Sequence, residues 1–293
     1  MTTKPAILSV IESQHEGPIP SLTAKIIILF HIRYIYNSMD KLNELFDKYQ
    51  VTEKNNSTGN FKALEKTISE LDKLDKVLLL SCSNRYNWDM NDVDIPKSTI
   101  LAMIIQEYLG DKAVLIDVPE LNIVPCEGNV SRKDGNSCGL MKAKLKDKDK
   151  NPTGYHRCWA SVNEKGDELW KISKELFESN AVIFFASVRW GQANMFYQKL
   201  IERLTWLENR HETLGESNII ENIQSGFICS GQNWKGMDVV DTQKRVHSFY
   251  GFKPNDKFYW NWQYTNKITD ESKESYKEAF PTFVKKFKLD ELY

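Results

Sequence analysis

From Val77 onward, short apolar runs rich in β-branched residues alternate with stretches whose apolar residues recur at helical spacing, and few folds accommodate that alternation. A strand feeding a helix and then another strand makes a βαβ unit, and successive units line their strands up in a mostly parallel sheet. Five strands are expected: Val77–Cys82, Ala113–Val118, Ala181–Ser187, Ser225–Cys229 and Phe258–Gln263. The first and third are almost unbroken apolar runs, as required where helices cover both faces of a sheet. Leu169, Ile172 and Leu176 line one helical face, and Phe196, Leu200, Leu204 and Leu207 another. Tyr276, Ala279, Phe280, Phe283, Val284 and Phe287 repeat the spacing, so a last helix is expected to close the sheet. The fold class expected is α/β, a three-layer doubly wound sandwich with a five-stranded parallel sheet.

Two regions fall outside that alternation. Residues 127–163 are rich in Gly, Asn, Asp, Lys and Pro, with the charge run Lys144–Lys150, and read as a long surface loop of the functional kind. Before about Asp75, Leu42, Leu45, Phe46 and Tyr49 make one helical stripe and Phe61, Leu64, Ile68 and Leu71 a second, with a linker over Lys54–Asn60. The organisation expected is therefore a mostly helical N-terminal extension, 1–74, and an α/β domain, 75–293.

Charge excludes some partners. Lys+Arg of 39 against Asp+Glu of 40 gives a net charge of −1, so no global field draws the chain to nucleic acid or to an anionic membrane. The apolar stretch Ile26–Tyr36 is broken by His31 and Arg33 and is shorter than the roughly 20 residues that cross a bilayer. Five cysteines, an odd number with no signal peptide before them, argue for a reducing, cytoplasmic setting rather than a disulfide framework. Cys138, His156 and Cys158 lack the second close pair that a zinc site needs, and no metal is expected.

In a doubly wound sheet the ligand sits beyond the carboxyl ends of the strands, where strand order reverses. After the first strand come Ser83 and Arg85, and then Lys97, Ser98 and Thr99 at the start of a helical run. Hydroxyls, a guanidinium and a helix N-terminus make a phosphate site; equally, Ser98 or Thr99 caps the helix and Arg85 is a solvated charge. After the third strand, Ser187, Val188, Arg189, Trp190, Gly191 and Asn194 lead through a strand-to-helix turn, offering a flat ring, a fixed positive charge and room for close backbone approach. The alternative is a Trp that closes the edge of the core. After the fourth strand, Gly231, Gln232, Trp234 and Gly236 either wrap the far edge of the same ligand or form a plain polar loop.

Together these segments resemble the flavodoxin-like NAD(P)H-dependent FMN reductases and their quinone-reductase relatives, over about Val77 to Phe287. The resemblance implies strand order 2-1-3-4-5 and bound FMN. It assigns the FMN phosphate to Ser83, Arg85, Ser98 and Thr99, and the flavin ring to Ser187, Val188, Trp190, Gly191 and Asn194, with Arg189 where a Tyr is common. The glycine-rich third loop carries over to Gly231, Gln232 and Gly236. The segment Leu121–Cys126 is similar to the family's segment after strand two. The sequence departs from the family in an insertion between Arg85 and Lys97 and in lacking the compact cysteine cluster of the iron–sulfur branch.

The function so implied is an oxidoreductase passing a hydride from NADPH or NADH through FMN to a quinone, nitro, azo or flavin acceptor. Arg189 and Trp190 are its expected catalytic residues, Arg189 or backbone N–H groups near Gly231 favouring the reduced, anionic flavin. The loop 127–163 is a candidate lid, and a homodimer or homotetramer is implied by resemblance. Two other readings stand beside it. One is a flavodoxin-type electron carrier, which a charge of −1 disfavours; the other is a flavin-free binding or assembly module that acts through its N-terminal helices.

Overall fold

The computed structural model describes residues 40–49, 51, 59–83, 95–128, 130–131, 135–136, 138–231 and 235–263. The chain parts into two compact units, Met1–Glu44 and Leu45–Tyr293, upstream of the boundary expected at 74/75. Of the first unit the described residues, 40–44, are helical.

In the second unit, strands β1 (Val77–Ser81), β2 (Ala113–Asp117), β3 (Ala181–Arg189), β4 (Gln224–Gly231) and β5 (Lys253–Trp262) form a sheet in the order β2-β1-β3-β4-β5, every neighbouring pair parallel. This is the flavodoxin-like order, whose reversal point lies between β1 and β3. All five expected strands are present. β5 begins earlier than its apolar run because Lys253–Lys257 is an exposed edge, and only the later half is buried.

The period-2 geometry of the strands divides the core. Leu78, Leu80, Val182, Phe184 and Phe227 share one cluster with helices α3 (Leu169–Leu176), α4 (Met195–Arg203), α5 (Thr205–Glu212) and α6 (Gly236–Tyr250). The stripes Leu169/Ile172/Leu176 and Phe196/Leu200/Leu204/Leu207 are both buried there. The opposite face carries α1 (Asn60–Leu71) and α2 (Lys97–Leu109), which lie against each other, completing three layers. Sandwiched between β-sheet and neighbour, α2 buries Ile100, Leu101, Ala102, Ile104 and Ile105 and has almost no polar face.

Helix α1 belongs to this unit. Phe61, Leu64, Ile68 and Leu71 are buried, and Thr67 accepts a hydrogen bond from Trp260 Nε1 (3.0 Å) while donating to the Lys257 carbonyl (2.7 Å). Asn60 clasps the end of β5 by donating to the Gln263 carbonyl (2.6 Å) and accepting from its N–H (3.0 Å). The closing helix expected around 276–287 lies outside the described residues.

The segment 138–163 of the long loop is docked rather than draped. Cys138, Ala143, Asn151, His156 and Cys158 are buried. Asn151 holds a turn by donating to Leu145 O (2.8 Å) and accepting from His156 N (3.0 Å). Beneath the loop, Arg203 of α4 pairs with Asp167, both side chains fully buried, at 2.7 and 2.9 Å, and donates to Ser161 Oγ at 3.0 Å and to the Val124 carbonyl at 2.6 Å. Glu216 accepts from both Arg157 and Arg210. These anchors are single polar residues scattered from Asn151 to Glu216, so periodicity gives no sign of them. All five cysteines are free thiols.

Candidate functional site

At the end of β1, Cys82 N donates to Phe185 O at 2.7 Å, the last rung between β1 and β3, and Ser83 beyond it is buried. Helix α2 starts beside this point, its φ preset by Pro96 (φ −55°). The Thr99 and Ser81 hydroxyls are hydrogen-bonded at 2.8 Å, tying the helix start to the strand end. Ser81 lies opposite Asp117 of β2, its hydroxyl favouring the ionised carboxylate. Burial nonetheless pushes the Asp117 carboxyl up to about 6, with Glu120 adding to the rise. Ser98 is 1% exposed and its Oγ has no hydrogen-bond partner among the described residues. Among the described residues Ser98 makes no cap, and the Thr99 hydroxyl is bonded to Ser81 instead, so neither caps the helix. An unpartnered hydroxyl thus stands in the first turn of a 13-residue helix, where free N–H groups and the helix dipole favour an anion.

The segment after β3 differs from the strand-to-helix turn expected. Val188 pairs with Ala193 and Arg189 with Gln192, so the strand folds back as a two-residue hairpin before α4 begins. Its tip residues, Trp190 (φ 51°) and Gly191 (φ 70°), are both left-handed, the signature of a type I′ turn whose twist matches the flanking strands. Gly takes that conformation freely; Trp does not. Trp190 is also 88% exposed, so it is not a residue closing the core edge. Arg189 beside it is exposed and makes no ion pair among the described residues.

At the hairpin base Val188 is buried, and Ser187 Oγ is a second buried hydroxyl with no partner. Asn194, 1% exposed, accepts from Ser187 N at 3.1 Å, and its Nδ2 donates to the Cys82 carbonyl. At the end of β4, Gly231 (φ 142°) is in register with Val188, and a Cβ on it would lie 3.0 Å from Val188 O and 3.1 Å from Val188 N. Gly236 opens α6 against Asn261, where a Cβ would come within 2.6 Å of the side chain. Asn261 also accepts from the Cys229 thiol at 3.3 Å.

The structure therefore gathers Ser83, Ser98 and Thr99 at the end of β1, Ser187, Val188 and Asn194 at the end of β3, and Gly231 beside them on β4. Arg189, Trp190 and Gly191 stand out from this group on the hairpin, and Gly236 packs toward β5. Arg85 and Gln232 lie outside the described residues. Sequence reasoning missed Ser81 and Asp117, although Ser81 ends a strand at the reversal point, where the topological rule directs attention, and Asp117 lies opposite it. Among the described residues no group of three or more His, Cys, Asp or Glu side chains is placed to hold a metal ion, and no helix is long and apolar enough to cross a membrane.

No protein-family model and no curated protein matches this sequence. Solved structures similar to it include the Trp repressor binding protein from Bacillus subtilis, 13% identical over 61% of this chain and 82% of that one, TM-score 0.34. RosB, solved with bound 8-demethyl-8-formylriboflavin-5′-phosphate, is 11% identical over 64% of each chain, TM-score 0.41. A flavone reductase is 12% identical over 70% of this chain and 59% of that one, TM-score 0.35. This chain thus spans less than two thirds of the length of the latter two.

Proposed function

We propose that the chain binds FMN across the carboxyl ends of β1, β3 and β4 and is an NAD(P)H-dependent oxidoreductase acting on a small-molecule acceptor. The observation that carries this reading is the pair of buried hydroxyls without a partner among the described residues, Ser98 Oγ in the first turn of α2 and Ser187 Oγ near the end of β3, beside the reversal point. A buried polar group without a partner costs about 1–3 kcal/mol, and ligand oxygens would recover it. The residues fit the group. Ser98, Thr99 and the first-turn amides of α2 would hold the phosphate, with Ser83 and Arg85 as further ligands. Ser187 and the backbone of Val188 would face the ring's polar edge, and Gly231 keeps that approach open because any side chain there would strike Val188.

When bound, FMN supplies the redox chemistry, taking a hydride from NADPH or NADH and giving it to a quinone, nitro, azo or flavin acceptor. The protein contributes position and field. Trp190 is an aromatic face held outward for stacking, and Arg189 supplies fixed positive charge beside it, favouring a ligand whose negative charge grows during reaction. The pure electron-carrier reading gains nothing from a net charge of −1.

The test is spectroscopic. Full-length protein with one equivalent of FMN, freed of oxygen, should lose its flavin absorbance on addition of NADPH or NADH far faster than free FMN does. Bound flavin that neither nucleotide bleaches would rule out the reductase role.

A further inference from the structure

Asn194 occupies the position before α4 where an Asn usually caps its own helix, yet it makes no side-chain hydrogen bond to that helix's first turn. Its amide faces backward. Oδ1 accepts from Ser187 N at 3.1 Å, its own N–H donates to Ser187 O at 3.0 Å, and Nδ2 donates to the carbonyl of Cys82, which lies 112 residues away in sequence. The regular ladder between β1 and β3 ends at the bond from Cys82 N to Phe185 O. Asn194 extends the connection past that rung, where β1 has ended while β3 runs on against β4.

The two groups it joins matter. The Cys82 carbonyl belongs to the peptide leading into Ser83, at the phosphate end of the proposed site. The Ser187 peptide leads into Val188, which carries the Trp190–Gly191 hairpin and lies against Gly231. One planar amide, 1% exposed and unable to swing into solvent, therefore spans the gap between the two ends.

We infer that Asn194 is a positioning residue that couples the phosphate end of the site to the hairpin at its ring end, so that an anion bound beside α2 sets the conformation of the Trp190–Gly191 tip. This rests on the phosphate reading of the α2 start given above. Coupling of this kind needs a physical connection that both sites bias, and the amide is that connection. It assigns Asn194 a role through Cys82 and Ser187, in place of the ring contact that the family resemblance implies.

The experiment uses the full chain without flavin, isotopically labelled, with inorganic phosphate titrated while backbone amide signals are followed by NMR. In the wild type the Ser98 and Thr99 amides should shift, and the Trp190 and Gly191 amides should shift with the same apparent Kd. In Asn194→Ala the first pair should still shift and the second should lose its response. Asn194→Asp, which keeps the acceptor for Ser187 N but loses the donor to Cys82 O, should behave like Asn194→Ala and serves if the alanine variant does not fold. Shifts at Ser98 and Thr99 with none at Trp190 and Gly191 in the wild type, or equal shifts there in the variants, would overturn the coupling alone. No shift at Ser98 and Thr99 would overturn the phosphate reading and the coupling with it.

Discussion

Replacing Trp190 with Asn should make the free protein more stable and its flavin complex weaker. A bulky residue held in the left-handed region costs about 1–2 kcal/mol, and Asn, a preferred type I′ residue, removes most of that cost. Because Trp190 is 88% exposed, little packing is lost in exchange. The net gain is about 1 kcal/mol, which in a domain of this size raises Tm by about 2–4 °C. Removing an aromatic face from a planar ligand costs about 1–3 kcal/mol of binding, so the Kd for FMN should rise roughly tenfold to a hundredfold. Thermal melts of the flavin-free proteins and fluorescence titrations with FMN measure the two halves separately. A lower Tm would mean that Trp190 packs within the fold. An unchanged Kd would mean that the strained tip does not touch the ligand.

Three further outcomes follow from buried polar groups. Asp167→Asn leaves the fully buried Arg203 guanidinium without its counter-charge and should cost about 3–5 kcal/mol in urea unfolding; a loss under about 1 kcal/mol would contradict the anchoring role given to this pair. Burial holds His156 and His247 down to about 3 from a usual 6.5. With the folded pKa depressed, their stabilisation is complete above about pH 6.5 and is lost as pH falls toward 3, each accounting for about 3 kcal/mol at pH 4. His247→Gln should therefore shrink the difference in stability between pH 7 and pH 4 by that amount, and parallel pH profiles for variant and wild type would refute it. Asp117 runs the other way: its raised pKa means stability falls as pH rises from about 3.8 through about 6. Discounted for its partial exposure, Asp117→Asn should add about 1 kcal/mol at pH 7 and nothing near pH 3.5, as read from thermal melts.

The sheet was legible because burial on both faces writes itself into sequence as unbroken apolar runs, as in Val77–Leu80 and Ala181–Ala186. The helices facing them announced themselves by period. What escaped notice depends on contacts far apart in sequence. α1 was readable as a helix from Phe61, Leu64, Ile68 and Leu71, but its seat on β5 rests on Thr67 and Asn60, polar residues meeting Trp260, Lys257 and Gln263 near the other end of the chain. The docking of 138–163 likewise hangs on Arg203 and Asp167, which no local pattern pairs. At the site, Ser98 and Ser187 were chosen for their place after strands, and both prove to be buried hydroxyls without partners. The hairpin at Trp190 was hidden because Arg189 and Gln192 carry no alternation that would mark so short a strand.

The most direct test of the proposed flavin site is a pair of fluorescence-quenching titrations of the full-length protein, one with FMN and one with riboflavin, which carries the same ring without the phosphate. One FMN should bind per chain, and riboflavin should bind about a hundredfold more weakly, the loss of roughly 3 kcal/mol in charge-assisted hydrogen bonds at the start of α2. Equal affinities would remove the phosphate from Ser98 and Thr99, and no quenching by either compound would contradict the flavin site itself.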